Sequence, residues 1–182
     1  MKTAVVFLAD GFEECEGLLV VDLLRRAKVN VITASVSGKK EIISSHRVVI
    51  LADELAEDID YNPVDMVVLP GGMPGTLNLG ESEIVRHHCV SFAANPDKTV
   101  AAICAAPSVL GGLGLLQGKK ATCYPSFEEK LTGAETTGDG VVVSGNIVTG
   151  QALGSAIPFA LELIRKLCGD REAERVSKAI CY

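Results

Sequence analysis

Short runs with almost no polar residue recur along this chain, and between them lie stretches with helical spacing. Lys2–Leu8, Met66–Leu69 and Thr99–Ile103 are the clearest of these runs. A strand with one wet face alternates apolar and polar residues, whereas a run apolar at nearly every position is what a strand covered on both faces needs. Glu13–Ala27 follows the first run with Val20, Leu23, Leu24 and Ala27 on one helical face and acids in its first turn. Strand followed by helix followed by strand, repeated, predicts an α/β sandwich with a mostly parallel central sheet.

Val29–Ser35 reads as the second strand and Glu41–Leu51 as a hairpin or two short strands. Helices are expected at Glu81–Ala94, stopped by Asn95-Pro96, and at Pro107–Leu113, where proline suits a first turn. Lys120–Tyr124 is expected to be a strand, with Ser126 capping a short helix over Phe127–Leu131. Val141–Ser144 and Asn146–Thr149 read as strands joined at Gly145. Ser155–Leu167 is an apolar helix closed by Gly169, and Asp170 is expected to cap a last helix, Arg171–Ala179. The 182 residues fit one domain, 1–182, with no linker or repeat.

Composition narrows the partners. Acidic residues outnumber basic ones 23 to 17, a net charge of −6, which argues against a nucleic-acid surface. No stretch has the length of a membrane span. The N-terminal apolar run is short and meets Asp10, Glu13 and Glu14 at once, so it reads as a strand and not a secretory signal, and a cytoplasmic location is expected. The six cysteines are expected to be reduced, most of them buried as small hydrophobes. No C-x-x-C pair occurs and His87-His88-Cys89 has poor chelating geometry, so no metal is expected.

In an open parallel sheet, ligands bind at the carboxyl ends of the strands. Three such ends carry unusual residues: Asp10-Gly11-Phe12-Glu13-Glu14-Cys15-Glu16, Pro70-Gly71-Gly72-Met73-Pro74-Gly75, and Ala101-Ala102-Ile103-Cys104-Ala105-Ala106-Pro107. Cys104 sits between a buried strand and a helix, the position of a nucleophile elbow, with alanines on both sides to make room. The following helix end favours a thiolate. Gly71-Gly72 lets backbone N–H groups approach a reacting oxygen, while the spacing of a phosphate loop is absent. One acid among Glu13, Glu14 and Glu16 can point inward over the sheet edge. A desolvated carboxyl there would stay protonated, donate to the sulfur, lower its pKa and pass a proton to substrate; local sequence does not select among the three. His87 and His88 read as a solvated helix face and His46 as part of the hairpin, so a Cys–Glu pair fits better than a Cys–His–Asp triad.

At these residues the chain resembles the ThiJ/PfpI superfamily, and within it the DJ-one-like group of the parkinsonism-associated deglycase, in its bacterial-type form. The matching segments are Gly11–Glu16, Val67–Gly72 and Ala101–Pro107, in the family's order and separations. The resemblance implies a flavodoxin-like three-layer sandwich that forms homodimers. It implies Cys104 as the reactive cysteine, Glu16 as its protonated partner, and Gly72, Ala105 and Met73 as backbone donors to an anion. It also implies a cofactor-free enzyme that turns methylglyoxal, glyoxal or early glycation adducts of proteins into hydroxy acids without glutathione. The alternative it offers is an oxidative-stress sensor or chaperone acting through Cys104 sulfinate. Ala105 stands where the protease-like branch has histidine, which argues against peptidase activity. Tyr124 falls where the human member has a histidine, Gln151–Ser155 replaces a Gly-Pro-Gly-Thr pattern, and Arg26 and His46 align with a basic pair for which a surface role is expected.

Overall fold

A computed structural model describes all 182 residues. In chain order the elements are β1 (Thr3–Leu8), α1 (Glu14–Arg26), β2 (Asn30–Ser35), β3 (Glu41–Ile43), β4 (Val49–Leu51), β5 (Glu54–Leu55), β6 (Met66–Leu69), α2 (Gly75–Glu81), α3 (Glu83–Ala93), β7 (Thr99–Ile103), α4 (Pro107–Gly112), β8 (Lys120–Ala121), β9 (Glu135–Thr136), β10 (Val141–Ser144), β11 (Ile147–Gly150), α5 (Ala156–Cys168) and α6 (Asp170–Ala179). Seven strands form one sheet in the order β10-β11-β7-β6-β1-β2-β5, parallel throughout except for the antiparallel edge strand β10.

All six residues of β1 are buried, and they divide between two cores. Ala4, Val6 and Leu8 pack with residues of α1, α5 and α6, while Val5 and Phe7 pack with residues of α2, α3 and α4. That is the period-2 alternation of a strand with helices on both faces, so the mostly parallel sandwich expected from the apolar runs is the fold found. The chain leaves β1 toward β2 on one side and reaches β6, β7 and β11 on the other. Strand order therefore reverses between β1 and β6, and the loops leaving these two strands flank the natural ligand crevice.

Several expectations are corrected. The helix expected over Glu81–Ala94 is α3, which starts two residues later because Ser82 has extended backbone and caps it, its Oγ accepting from the Val85 N–H at 3.5 Å; a separate helix, α2, precedes it. Strands β5 and β9, two residues each, and helix α2, which follows a glycine-rich loop, carry no readable period. Lys120–Tyr124 yields only β8, which pairs with β9 outside the main sheet. Ser126 lies at φ +82° and caps nothing; the helix expected there is one 3₁₀ turn, Glu128–Lys130. Asp170 is the first residue of α6 and its carboxylate takes the Arg165 Nε–H at 2.8 Å, while Gly169, at φ +87°, is the residue that separates α5 from α6.

β11 is held in place partly by one side chain. Asn146 Nδ2 lies 3.0–3.2 Å from the carbonyls of Phe92, Ala93, Asn95 and Lys98, at the end of α3 and in the turn beyond it. Asn146→Ala is expected to lower unfolding stability by about 1–3 kcal/mol, since several half-buried carbonyls lose their donor. Urea unfolding measures this, and a loss below about 0.5 kcal/mol would show that solvent replaces the amide.

Candidate active site

Parallel pairing of β6 with both β1 and β7 brings the three unusual strand ends to one edge. Cys104 follows β7 directly. It has φ +65°, a left-handed conformation that a non-glycine residue adopts only under constraint. Its N–H donates to the Gly150 carbonyl at 3.0 Å and its carbonyl accepts from the Tyr124 N–H at 2.7 Å, so both sides of the strained residue are tied down. The Ala105 carbonyl accepts from Ser108 Oγ at 2.6 Å, which fastens the turn to the start of α4. The thiol is half-buried.

Of the three acids, the fold selects Glu16. It is 1% exposed, and its Oε2 accepts the Gly71 N–H at 3.0 Å while the carboxyl hydrogen-bonds the Cys104 thiol. Gly71 must be glycine for want of space: a Cβ there would lie 2.6 Å from Cys104 Cβ and 2.6 Å from Glu16 Oε2. Gly72 is at φ +92°, and its N–H, with that of Ala105, is directed at the sulfur. These are two of the three donors expected; the third, Met73, is half-exposed.

Burial pushes the Glu16 carboxyl up to about 7. Burial, then the negative charge and hydrogen bond of an ionised Glu16, push the Cys104 thiol up to about 12, against the backbone donors of Ala105 and Gly72. The expectation of a simply depressed cysteine pKa is therefore corrected. Two groups this close release protons as one system, the first near 7 and the second near 12. Between those values the pair holds one proton. The sulfur is nucleophilic in the tautomer where the carboxyl keeps that proton, because the carboxyl then donates to sulfur instead of repelling it.

Glu13 and Glu14 turn the other way, toward the β3–β4 hairpin. Glu13 caps α1 and Ser45 Oγ lies 3.2 Å from a carboxylate oxygen of each acid. His46 Nδ1 is 3.0 Å from Glu14 and 3.6 Å from Glu13, and the Glu14 hydrogen bond, then the two charges, raise the imidazole pKa. His46 thus braces the helix that carries Glu16, a role its hairpin position did not signal. Glu13, Glu14 and His46 are also the residues whose ligand-type atoms gather within 4.8 Å. Arg26 is at the far end of α1, paired with Asp22 at 2.8 Å. His87 is exposed as expected, but His88 stacks on Tyr61 with ring centroids 3.5 Å apart, and burial pulls its pKa down to about 4.

The cysteines are all unpaired, but only Cys89 and Cys123 are buried; Cys15, Cys168 and Cys181 are exposed at helix ends, contrary to the expectation for most of the six. Burial holds Cys89 up to about 12 with no partner acid. Cys104 alone combines partial access, a carboxyl partner and two N–H donors. No helix is long and apolar enough to cross a membrane.

Known proteins resemble this chain over nearly its whole length. The model of the DJ-1/PfpI family matches residues 2–166. Protein dj-1beta of Drosophila melanogaster is 37% identical over 181 residues, covering 98% of this chain and 96% of that protein. Glutathione-independent glyoxalase DJR-1.2 of Caenorhabditis elegans is 27% identical over 183 residues, 99% and 96% of the two chains. Protein DJ-1 homolog B of Arabidopsis thaliana is 37% identical over 176 residues, and there the match spans 96% of this chain but only 40% of the longer plant protein. The oxidised DJ-1 structure of Toxoplasma gondii superposes with a TM-score of 0.95 at 35% identity, covering 100% of this chain and 99% of that one. With the strained cysteine, its buried acid and the paired glycines held on one sheet edge, the chain belongs to the DJ-1/PfpI family.

Proposed function

We propose that the protein is a cysteine-dependent, glutathione-independent glyoxalase or deglycase acting on α-oxoaldehydes or their early adducts on proteins. The observation that carries this reading is the buried Glu16 carboxyl hydrogen-bonded to Cys104 Sγ while the N–H groups of Gly72 and Ala105 face the same sulfur. The glyoxalase name of the nematode relative supports it.

In this reading Cys104 thiolate attacks the aldehyde carbon of methylglyoxal, the C=O electrons move to oxygen, and Glu16 gives that oxygen its proton. The Gly72 and Ala105 N–H groups stabilise the developing negative charge. Glu16, now a carboxylate, removes the C1 proton of the hemithioacetal and returns it to C2 through an enediol. C1 is thereby oxidised to a thioester and C2 reduced to an alcohol. Water then cleaves the thioester, releasing lactate and restoring the thiol. The net reaction is methylglyoxal plus water to lactate, with no external oxidant or cofactor.

Lactate formation from methylglyoxal in glutathione-free buffer tests it. The wild-type protein is expected to turn over and Cys104→Ala to match the uncatalysed background; equal rates for the two proteins would remove the reading. The second reading, a peroxide sensor, is favoured by the same N–H pair, which would hold the oxygens of a sulfinate. There the thiolate takes one oxygen from each of two peroxide molecules and releases two waters. Intact mass after mild peroxide is expected to gain two oxygens on Cys104 before any other cysteine. We also take the protein as a homodimer, since Val48, Val49 and Leu51 of the hairpin and Leu18 of α1 are exposed in the single chain.

A further inference from the structure

The loop that leaves β1 and the loop that leaves β6 touch backbone to backbone. A Cβ on Gly11 would lie 2.4 Å from Pro74 Cδ, one on Gly72 2.3 Å from the Glu13 nitrogen, and one on Gly75 2.5 Å from the Phe12 nitrogen. Two main-chain bonds close the contact, from the Glu13 N–H to the Gly71 carbonyl at 2.8 Å and from the Gly75 N–H to the Gly11 carbonyl at 3.1 Å. A side chain adds a third: Asn78 Nδ2, on α2, donates to the Asp10 carbonyl at 2.8 Å. Apart from Glu16, which accepts the Gly71 N–H, no other side chain is hydrogen-bonded between segments 9–16 and 70–81.

Each loop carries part of the machinery. The first runs into α1, whose first turn holds Glu16. The second holds Gly72, whose N–H faces the sulfur. The first loop is anchored on its outer side by the hairpin, through the Ile43 N–H to Asp10 Oδ1 at 2.8 Å and the Gly11 N–H to the Ile43 carbonyl at 2.7 Å. Asn78 draws the second loop up to it, since its own N–H donates to the Pro74 carbonyl at 3.1 Å and so ties the amide to the residues just after Gly72. The amide thus joins the two parts without touching the sulfur. A misplacement of about 1 Å between such parts costs on the order of a hundredfold in rate.

We propose that Asn78 is a positioning residue that sets the Gly72 N–H and the Glu16 carboxyl in their working places around Cys104 Sγ. Its effect on turnover rests on the enzyme reading above; its effect on the thiol does not. In Asn78→Ala, kcat for methylglyoxal is expected to fall about tenfold or more with KM within about threefold of wild type. Alanine is the better helix former, so α2 is not weakened on its own account. The pH of half-maximal alkylation of Cys104 by iodoacetamide is expected to rise from near 7 by about half a pH unit or more, because the sulfur loses the aim of a donor. Asn78→Asp sets a carboxylate against the Asp10 carbonyl, acceptor facing acceptor, and a rise at least as large is expected. Asn146→Ala is the control for stability alone, since Asn146 lies at the opposite end of β11 from Gly150. It should lower the melting temperature and leave kcat within about twofold and the alkylation midpoint unmoved. An Asn78→Ala protein that behaves like this control, melting lower with wild-type kcat and midpoint, would overturn the proposal. A shifted midpoint in Asn78→Ala, in a protein whose wild type forms no lactate, would sustain the positioning role and sink the enzyme.

Discussion

Glu16→Gln is expected to lower methylglyoxal turnover about 10²- to 10³-fold while leaving iodoacetamide alkylation of Cys104 at pH 7 within about tenfold of wild type. Glutamine keeps a hydrogen-bond donor beside the sulfur and removes the proton that the carboxyl moves. The two readouts separate because alkylation needs only a thiolate, whereas turnover needs a proton carried to oxygen and taken from carbon. In the wild-type protein, alkylation is expected to rise through an apparent pKa near 7, the first proton lost by the pair, and then level off. In Glu16→Gln that inflection should move, since one titrating group is gone. Turnover unchanged in the variant would show that Glu16 moves no proton.

Stability gives a second view of the same residue. Folding raises the Glu16 carboxyl from its ordinary 4.5 to about 7, chiefly through burial. A group raised in this way contributes stability fully below pH 4.5 and loses it as pH climbs through 7, a difference on the order of 3 kcal/mol. Glu16→Gln is therefore expected to melt above wild type at pH 8 and level with it near pH 4. An acid kept where it costs stability at neutral pH is kept for another reason.

Gly71→Ala is expected to abolish measurable turnover and to cost about 1–3 kcal/mol of stability. The backbone at Gly71 is ordinary, so the reason is the space beside it. The added methyl would meet Cys104 Cβ and Glu16 Oε2 at 2.6 Å and Cys104 Sγ at 3.1 Å. Relief by any route separates the thiol from its acid or tilts the N–H groups away. Gly112→Ala on α4 is the control, since nothing lies within 4 Å of a Cβ there, and it should be neutral or slightly stabilising. Wild-type kinetics in Gly71→Ala would mean that the Cys104–Glu16 contact is not used.

How much of this was legible in the residues follows from where each signal is stored. The sheet was legible because a strand covered on both faces must be apolar at successive positions, and Thr3–Leu8, Met66–Leu69 and Thr99–Ile103 carry that demand within the run itself. The sharp turn at Cys104 was legible from alanines and a following proline. The two-residue strands β5 and β9 were not, because they exist through a neighbour's hydrogen bonds and are too short to show a period. Nor was α2, Gly75–Glu81, a seven-residue helix that follows a glycine-rich loop.

At the site the division is sharper. The chain by itself determined the set of candidates, Cys104, the glycine pair and three acids, by setting them directly after apolar strands. Only the tertiary structure decided among the acids: the rotation of α1 over the crevice buries Glu16 against Gly71 and Cys104 and turns Glu13 and Glu14 toward Ser45 and His46. It also decided the sign of the electrostatics. Burial and the nearness of a second acid are properties of packing between segments tens of residues apart, and a linear run of residues records neither.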